Sequence, residues 1–156
     1  HTNDAATTIP RLFDMGIEPF LVASSTNVIV GQRLVRKICE QCRVTEIHDR
    51  KSWEEYTQLF PKEMIKKIFG DKNEVHTYVG KGCDICNHTG YKGRVGIYEV
   101  MYVSEEIRRA IVSKENAATI AEIAKKEGMK TMLEDGLEKV KMGTTTLAEV
   151  IRGTKE

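Results

Sequence analysis

Four cysteines, and only four, occur in this 156-residue chain, and they fall as two couplets, Cys39-Glu-Gln-Cys42 and Cys83-Asp-Ile-Cys86. A C-x-x-C knuckle can aim both sulfurs at one metal ion, and two knuckles supply the four thiolates of a closed tetrahedral zinc shell. Such a shell has no open position for a substrate, so its role is structural. The 43–82 segment between the couplets is longer than a short zinc ribbon needs and must carry structure of its own. Other uses of the thiols remain open at this point. Two disulfides suit a secreted chain, but four cysteines are few for this length and no signal peptide is visible. Two redox pairs would each want a helix N-terminus in a βαβ setting, which neither couplet shows clearly. An iron–sulfur cluster also takes four cysteines. A tetrathiolate zinc centre carries excess negative charge, and Lys37, Arg43 and Lys81 lie beside the couplets to offset it.

Other chemistry is sparse. His48, His76 and His88 are single histidines in polar settings, the places of surface residues and local hydrogen-bond partners. His88, two residues past Cys86, is a spare ligand that four thiolates do not need. No G-x-x-x-x-G-K-[ST] loop cradles phosphates, and no strand ends in the acidic residues of a magnesium partner. No H-E-x-x-H, nucleophile elbow or Cys–His pairing appears.

The elements that must position the cysteines can be read from periodicity and caps. Asp4 or Thr7 caps a short helix to about Met15, with Ile9, Leu12 and Phe13 inward and Gly16 as its stop. Glu18-Pro19 opens a second helix to about Val30, with Phe20, Leu21 and Val28 inward. Residues 33–39 read as a strand that delivers Cys39. Within the insert, Ser52-Trp-Glu-Glu55 is a capping box, and Pro61 interrupts that helix to start another with the stripe Met64, Ile65, Ile68 and Phe69, stopped by Gly70. Residues 75–79 alternate as a strand, and a further strand runs from Arg94 to Val103. Ser104, Asn116 and the Thr146-Leu-Ala-Glu149 box then open helices, with a helix carrying Met132, Leu133, Leu137 and Val140 before the last.

Formal charge is +1, with 40% apolar and 30% charged residues, ordinary for a soluble globular chain. Near-neutrality gives no basic stripe for phosphates, so nucleic acid is not the expected partner. No run of 18 apolar residues exists, so no transmembrane segment is expected. Thiols kept for metal imply a reducing compartment. The chain opens on His1 rather than Met and is expected to be a piece of something longer.

Several stretches together resemble one family. They are His1-Thr-Asn-Asp-Ala, Ile9-Pro-Arg-Leu-Phe-Asp-Met-Gly-Ile-Glu-Pro-Phe-Leu21, and Gly31-Gln-Arg-Leu-Val-Arg36 ahead of Cys39. Gly82-Cys-x-x-Cys followed by Thr89-Gly-Tyr-x-Gly-Arg-x-Gly-Ile-Tyr-Glu99, Met132-Leu-Glu-Asp-Gly-Leu137 and Gly143-Thr-Thr-Thr-Leu-x-Glu-Val150 complete the set. In this order they resemble the region of type II secretion and type IV pilus assembly ATPases that begins at the second half of the His box. The related retraction motors generally lack the four cysteines, so the couplets favour the assembly or secretion branch.

The resemblance implies an α/β protein, α+β in this fragment: the C-terminal part of a RecA-like ATPase domain with an inserted four-cysteine zinc subdomain and a C-terminal helical bundle. It implies boundaries at 1–38 for the ATPase core, 39–93 for the zinc subdomain, and 94–156 for a strand and the helical subdomain. Cys39, Cys42, Cys83 and Cys86 match the zinc ligands, His1 matches the His-box residue near the γ-phosphate, and Arg33 matches an arginine on the nucleotide side. The expected parent is a cytoplasmic homo-hexamer using ATP and Mg2+, peripheral at the inner membrane through platform proteins. Lacking Walker A and Walker B, the fragment itself is expected to be inactive. A stand-alone zinc-bearing protein-interaction module and a nucleic-acid-binding zinc ribbon are the rival classes. Loss of a cysteine ligand is expected to unfold 39–86 and spare the C-terminal helices.

Overall fold

A computed structural model describes residues 4–155. In chain order the elements are α1 (Thr8–Asp14), α2 (Pro19–Ser25), β1 (Val28–Ile38), β2 (Arg43–Asp49), α3 (Arg50–Tyr56), α4 (Lys62–Phe69), β3 (Glu74–Gly80) and a 3-10 turn (Asp84–Cys86). They continue as β4 (Tyr91–Tyr102), α5 (Glu105–Val112), α6 (Ala117–Lys126), α7 (Met132–Lys141) and α8 (Leu147–Lys155). β1 pairs with β4, and β2 pairs antiparallel with β3 from Arg43↔Gly80 to Asp49↔Glu74. The class is α+β.

Contacts divide the chain into two units, and the division falls inside β1 and β4. The first holds the described residues up to Arg33 together with Tyr98–Met132; the second holds Leu34–Ile97 and the chain from Leu133 onward. The four C-terminal helices are therefore shared out, α5 and α6 to the first unit, α7 and α8 to the second.

In the first unit, Ile9, Val22, Ala23, Met101, Ile107, Ile111, Ile120 and Ala124 form one apolar core. Ser104 accepts from the Ile107 N–H at 3.2 Å and Asn116 from the Thr119 N–H at 2.9 Å, so α5 and α6 start where their caps dictate. Glu99 is buried, and its carboxylate accepts from the Ala5 N–H at 2.9 Å and the Met132 N–H at 3.4 Å. Two backbone donors that no regular element satisfies are thereby met by one side chain.

Here α2 departs from expectation. It stops at Ser25 instead of continuing to about Val30, and β1 begins at Val28 instead of residue 33. The Ser24 and Ser25 hydroxyls donate back to Leu21 O, and the β-branched run Val28-Ile29-Val30 then favours extended backbone. Pro19, Val22 and Ala23, at i, i+3 and i+4, make the buried face. Phe20, Leu21 and Val28, expected inward, are 60%, 48% and 43% exposed.

The second unit is built on Trp53, Phe60, Ile65, Ile68, Phe69 and Val75 of the insert together with Leu137, Val140, Leu147 and Val150 of α7 and α8. Trp53 and Phe69 meet edge to face with centroids 4.8 Å apart. The cap of α3 is Asp49, whose carboxylate accepts from the Ser52 N–H at 2.8 Å, so the helix begins before the expected Ser52 box. Asp49 also ends β2, a strand with no fully buried residue.

Glycine at position 136 lets α7 lie against α8. A Cβ there would come within 2.7 Å of Val150 Cγ1, and Val150 is wholly buried. A β-branched side chain in a helix has one strongly preferred rotamer and little room to yield. Gly136→Ala is therefore expected to destabilise by about 1–2 kcal/mol, opposite in sign to the usual gain of alanine over glycine in a helix. A fall in the urea midpoint would confirm it; a rise would refute the packing argument.

At the start of α8, Thr146 Oγ1 accepts from the Glu149 N–H at 3.3 Å, half of the expected capping box. The Glu149 carboxylate, 3% exposed, is drawn to two arginines. Glu149 accepts from the Arg36 N–H (2.8 Å) and the guanidinium nitrogens of Arg36 (2.7 Å) and Arg152 (2.8 Å). Burial alone would raise its pKa, but these donors outweigh burial and hold it at about 2, against an ordinary value of 4.5. Because the folded-state value lies below the unfolded one, the stabilisation is full above about pH 4.5 and is lost as pH falls toward 2. The Arg36 and Arg152 side chains are 49% and 45% exposed and regain water when freed. Glu149→Gln is accordingly expected to cost about 2 kcal/mol at pH 7. Urea unfolding should show that difference shrinking at pH 3; an unchanged difference at pH 3 would exclude ionisation as its source.

Candidate metal centre

Cys39 follows the end of β1 and Cys42 precedes β2, while Cys83 precedes the 3-10 turn after β3 and Cys86 is its last residue. The β2–β3 register places Arg43 opposite Gly80, which brings the two knuckles face to face. Backbone bonds then fasten them: the Lys81 N–H donates to Cys42 O at 3.0 Å and the Cys39 N–H to Gly90 O at 2.9 Å. Gly80 and Gly90 lie so close that a Cβ on Gly80 would sit 2.0 Å from Gly90 O. Any side chain at either position would push the knuckles apart.

The four sulfurs converge. Sγ–Sγ distances are 3.9 Å for Cys39–Cys83, 3.8 Å for Cys42–Cys86 and 3.7 Å for Cys83–Cys86, and all four atoms lie within 4.8 Å of one another. A regular tetrahedron with metal–sulfur bonds of about 2.3 Å has edges of about 3.8 Å. The thiols therefore already stand near the corners of a tetrathiolate shell, and all four are free. Bonded sulfurs of a disulfide would be about 2.05 Å apart. The donor set fits one ion held jointly by both couplets.

Backbone N–H groups, more than side-chain cations, face the sulfurs. Gly82 donates to Cys42 Sγ, and Cys83 and Gly90 both donate to Cys86 Sγ, each at 3.3 Å. Asn87 and His88 adopt left-handed backbone (φ 50° and 60°), carrying the chain around so that the His88 N–H reaches Cys83 O at 2.9 Å. For the free thiols, burial pushes Cys42 up to about 12 despite the Gly82 donor, with the neighbouring thiols adding to it. Burial acts in the same direction on Cys86, but the Cys83 and Gly90 donors overcome it and bring that thiol down to about 6. Of the cations expected to offset the charge, Lys37 pairs with Glu40 at 2.6 Å. Arg43 donates to Gly143 O at 3.2 Å and lies over the Tyr78 ring. His88 contacts Asp84 at 3.1 Å, away from a ligand role.

A second cluster, not singled out as a site in the sequence, braces this centre. Arg36 stacks its guanidinium 4.1 Å from the Tyr91 ring centroid, and the Tyr91 hydroxyl meets Thr146 Oγ1 at 3.0 Å. Thr145 Oγ1 donates to Arg36 O at 2.8 Å, and the Ile38 N–H donates to Thr144 O at 2.9 Å. The Gly143-Thr-Thr-Thr stretch therefore grips the strand end that delivers Cys39. The sequence signals for these residues were the Thr146–Glu149 box and the family-like stretches that contain Arg36, Tyr91 and Gly143–Val150.

His1 lies outside the described residues. Arg33 is half-buried on β1, and its Nη1 donates to Gln32 O at 3.4 Å.

A profile described as "Type II/IV secretion system protein" matches residues 1–152. The chain is 43% identical over its full length to the type IV pilus assembly ATPase PilB of Thermus thermophilus, of which it covers 16%. It is 38% identical to the type II secretion system protein HxcR of Pseudomonas aeruginosa, covering 27%, and 36% identical to the type II secretion system ATPase E of Vibrio cholerae, covering 29%. It spans less than a third of the length of each of these relatives. With its four-cysteine centre and a match running through nearly every residue, the chain belongs to the type II/IV secretion system protein family.

Proposed function

We propose that this chain is the C-terminal region of a hexameric motor ATPase that powers type IV pilus assembly or type II secretion from the cytoplasmic face of the inner membrane. The observation that carries the reading is the family match over residues 1–152, joined to relatives named as pilus assembly and secretion ATPases. No helix among the described residues is long and apolar enough to cross a membrane. In this reading residues 1–38 complete the ATPase core, 39–93 form the zinc subdomain, and 94–156 carry the remaining strand and helices. His1 is assigned to the γ-phosphate side and Arg33 to the nucleotide side, while ATP and Mg2+ bind largely through parts of the longer protein.

The ion is assigned as structural Zn2+, held by Cys39, Cys42, Cys83 and Cys86. Bound there, zinc supplies a closed cross-link between two segments of chain and no Lewis-acid step, since four thiolates fill its shell. The residues of the chain do the rest: Gly82, Cys83 and Gly90 direct N–H groups at sulfur, and the Gly80–Gly90 contact sets the spacing.

The motor reading is tested by ATP turnover. The 156-residue chain should release no phosphate above buffer, whereas a polypeptide extended through a Walker A loop should hydrolyse ATP. Turnover by the shorter chain would overturn the assignment of the missing chemistry to other regions.

Metal content gives the second test. One zinc per chain and no reactive thiols are expected after washing with a weak chelator. Metal ligation in small structural sites contributes about 10–16 kcal/mol of apparent folding free energy. Cys39→Ser should therefore unfold the second unit. Because α7 and α8 share its apolar core, amide protection should vanish at Leu137 and Val150 along with the insert, and survive at Ile107 and Ile120. Protection retained at Leu137 in the mutant would show that these helices stand without the metal.

A further inference from the structure

We propose that the cleft between α3 and α4 binds an acidic peptide segment of a protein partner, its carboxylates met by lysines at the rim and an apolar side chain seated beside Trp53 and Ile65. The cleft has a volume of about 460 Å³, the size of a small ligand or of two or three side chains. Its wall carries four cations, Arg50, Lys62, Lys66 and Lys72, against the carboxylates of Glu54 and Asp71. That excess is local, since the whole chain has 24 basic and 23 acidic residues.

The cations are already arranged to take a carboxylate. Lys66 contacts Asp71 at 3.2 Å and Arg50 approaches it to 3.9 Å, so side chains from both helices converge on one acid at the mouth. These three side chains are 59–64% exposed, which makes the internal pairs weak and exchangeable. Lys62 and Lys72 have no carboxylate partner among the described residues. The site suits carboxylates better than phosphate. The glycine on its wall, Gly70, donates its N–H to Lys66 O, which leaves that donor unavailable for a phosphate cradle. Beneath the charges lie Trp53 and Ile65, both under 9% exposed, giving the apolar floor that a bare anion would not use.

Trp53 is the sole tryptophan of the chain, so its fluorescence reports on this cleft alone. The 156-residue protein would be titrated with N-acetylated, C-amidated Glu-Glu-Leu-Asp-Glu, with Lys-Lys-Leu-Lys-Lys, and with inorganic phosphate. A saturable change with the acidic peptide only is expected, weakened at least tenfold from about 50 to about 500 mM salt as screening shortens. The Lys62→Glu/Lys72→Glu variant should lose it with its far-UV circular dichroism unchanged, and Lys62→Arg/Lys72→Arg should keep it. If charge reversal disturbs the fold, the salt series and the arginine variant carry the test. No saturable change, an equal response to the basic peptide, a response to phosphate without the peptide, or binding that survives charge reversal would each overturn the proposal.

Discussion

Two cysteine couplets separated by 44 positions have to deliver four sulfurs to one point, and much of the second unit follows from that requirement. The device that meets it is the antiparallel β2–β3 pair, which starts directly after Cys42 and ends just before Gly82. A slip of one residue in that register would move one couplet along the strand by about 3.4 Å and turn every side chain to the other face. β2 has no fully buried residue, and the buried side chains that a slip would displace, Val75 and Thr77, lie on β3. The Lys81 N–H to Cys42 O bond and the Gly80–Gly90 contact both act at the cysteine end of the ladder.

That end is also tied to the last helices. The strand carrying Arg36 and Ile38 is gripped by Thr144, Thr145 and the Glu149 carboxylate, with Tyr91 stacked on Arg36. A buried carboxylate costs several kcal/mol unless its lone pairs are met. Glu149 meets that cost with a backbone N–H and two guanidinium groups, which fixes where the strand end can lie. The insert, the metal centre and α7–α8 thus behave as one body, and the insert is better seen as part of the C-terminal fold than as an appendage.

Much of this was legible in the chain. The cysteine spacing pointed to the four sulfurs that converge, because two C-x-x-C couplets with no cysteine left over can aim all their thiols at one point. Ser104 and Asn116 announced their helices because an N-cap acts on N–H groups three residues away. Other elements were hidden for physical reasons. β2 is half-buried on one face and exposed on the other with polar residues on both, so it lacks the apolar alternation that marks a strand. The end of α2 turned on competition between Ser hydroxyls and the helix backbone, which pattern alone resolves poorly. Phe20 and Leu21 looked inward because they are apolar, but the phase set by Pro19 buries Val22 and Ala23 instead.

Sequence by itself determined which four sulfurs could share one ion, most helix starts and the family. Each depends on residue identity at short range or on ordered motifs. Tertiary structure decided which helices belong with the metal centre and what Glu149 does. It also decided that Trp53 should floor a cationic cleft. Those outcomes rest on contacts between residues far apart in the chain, such as Arg36 with Glu149, for which local spacing carries no signal.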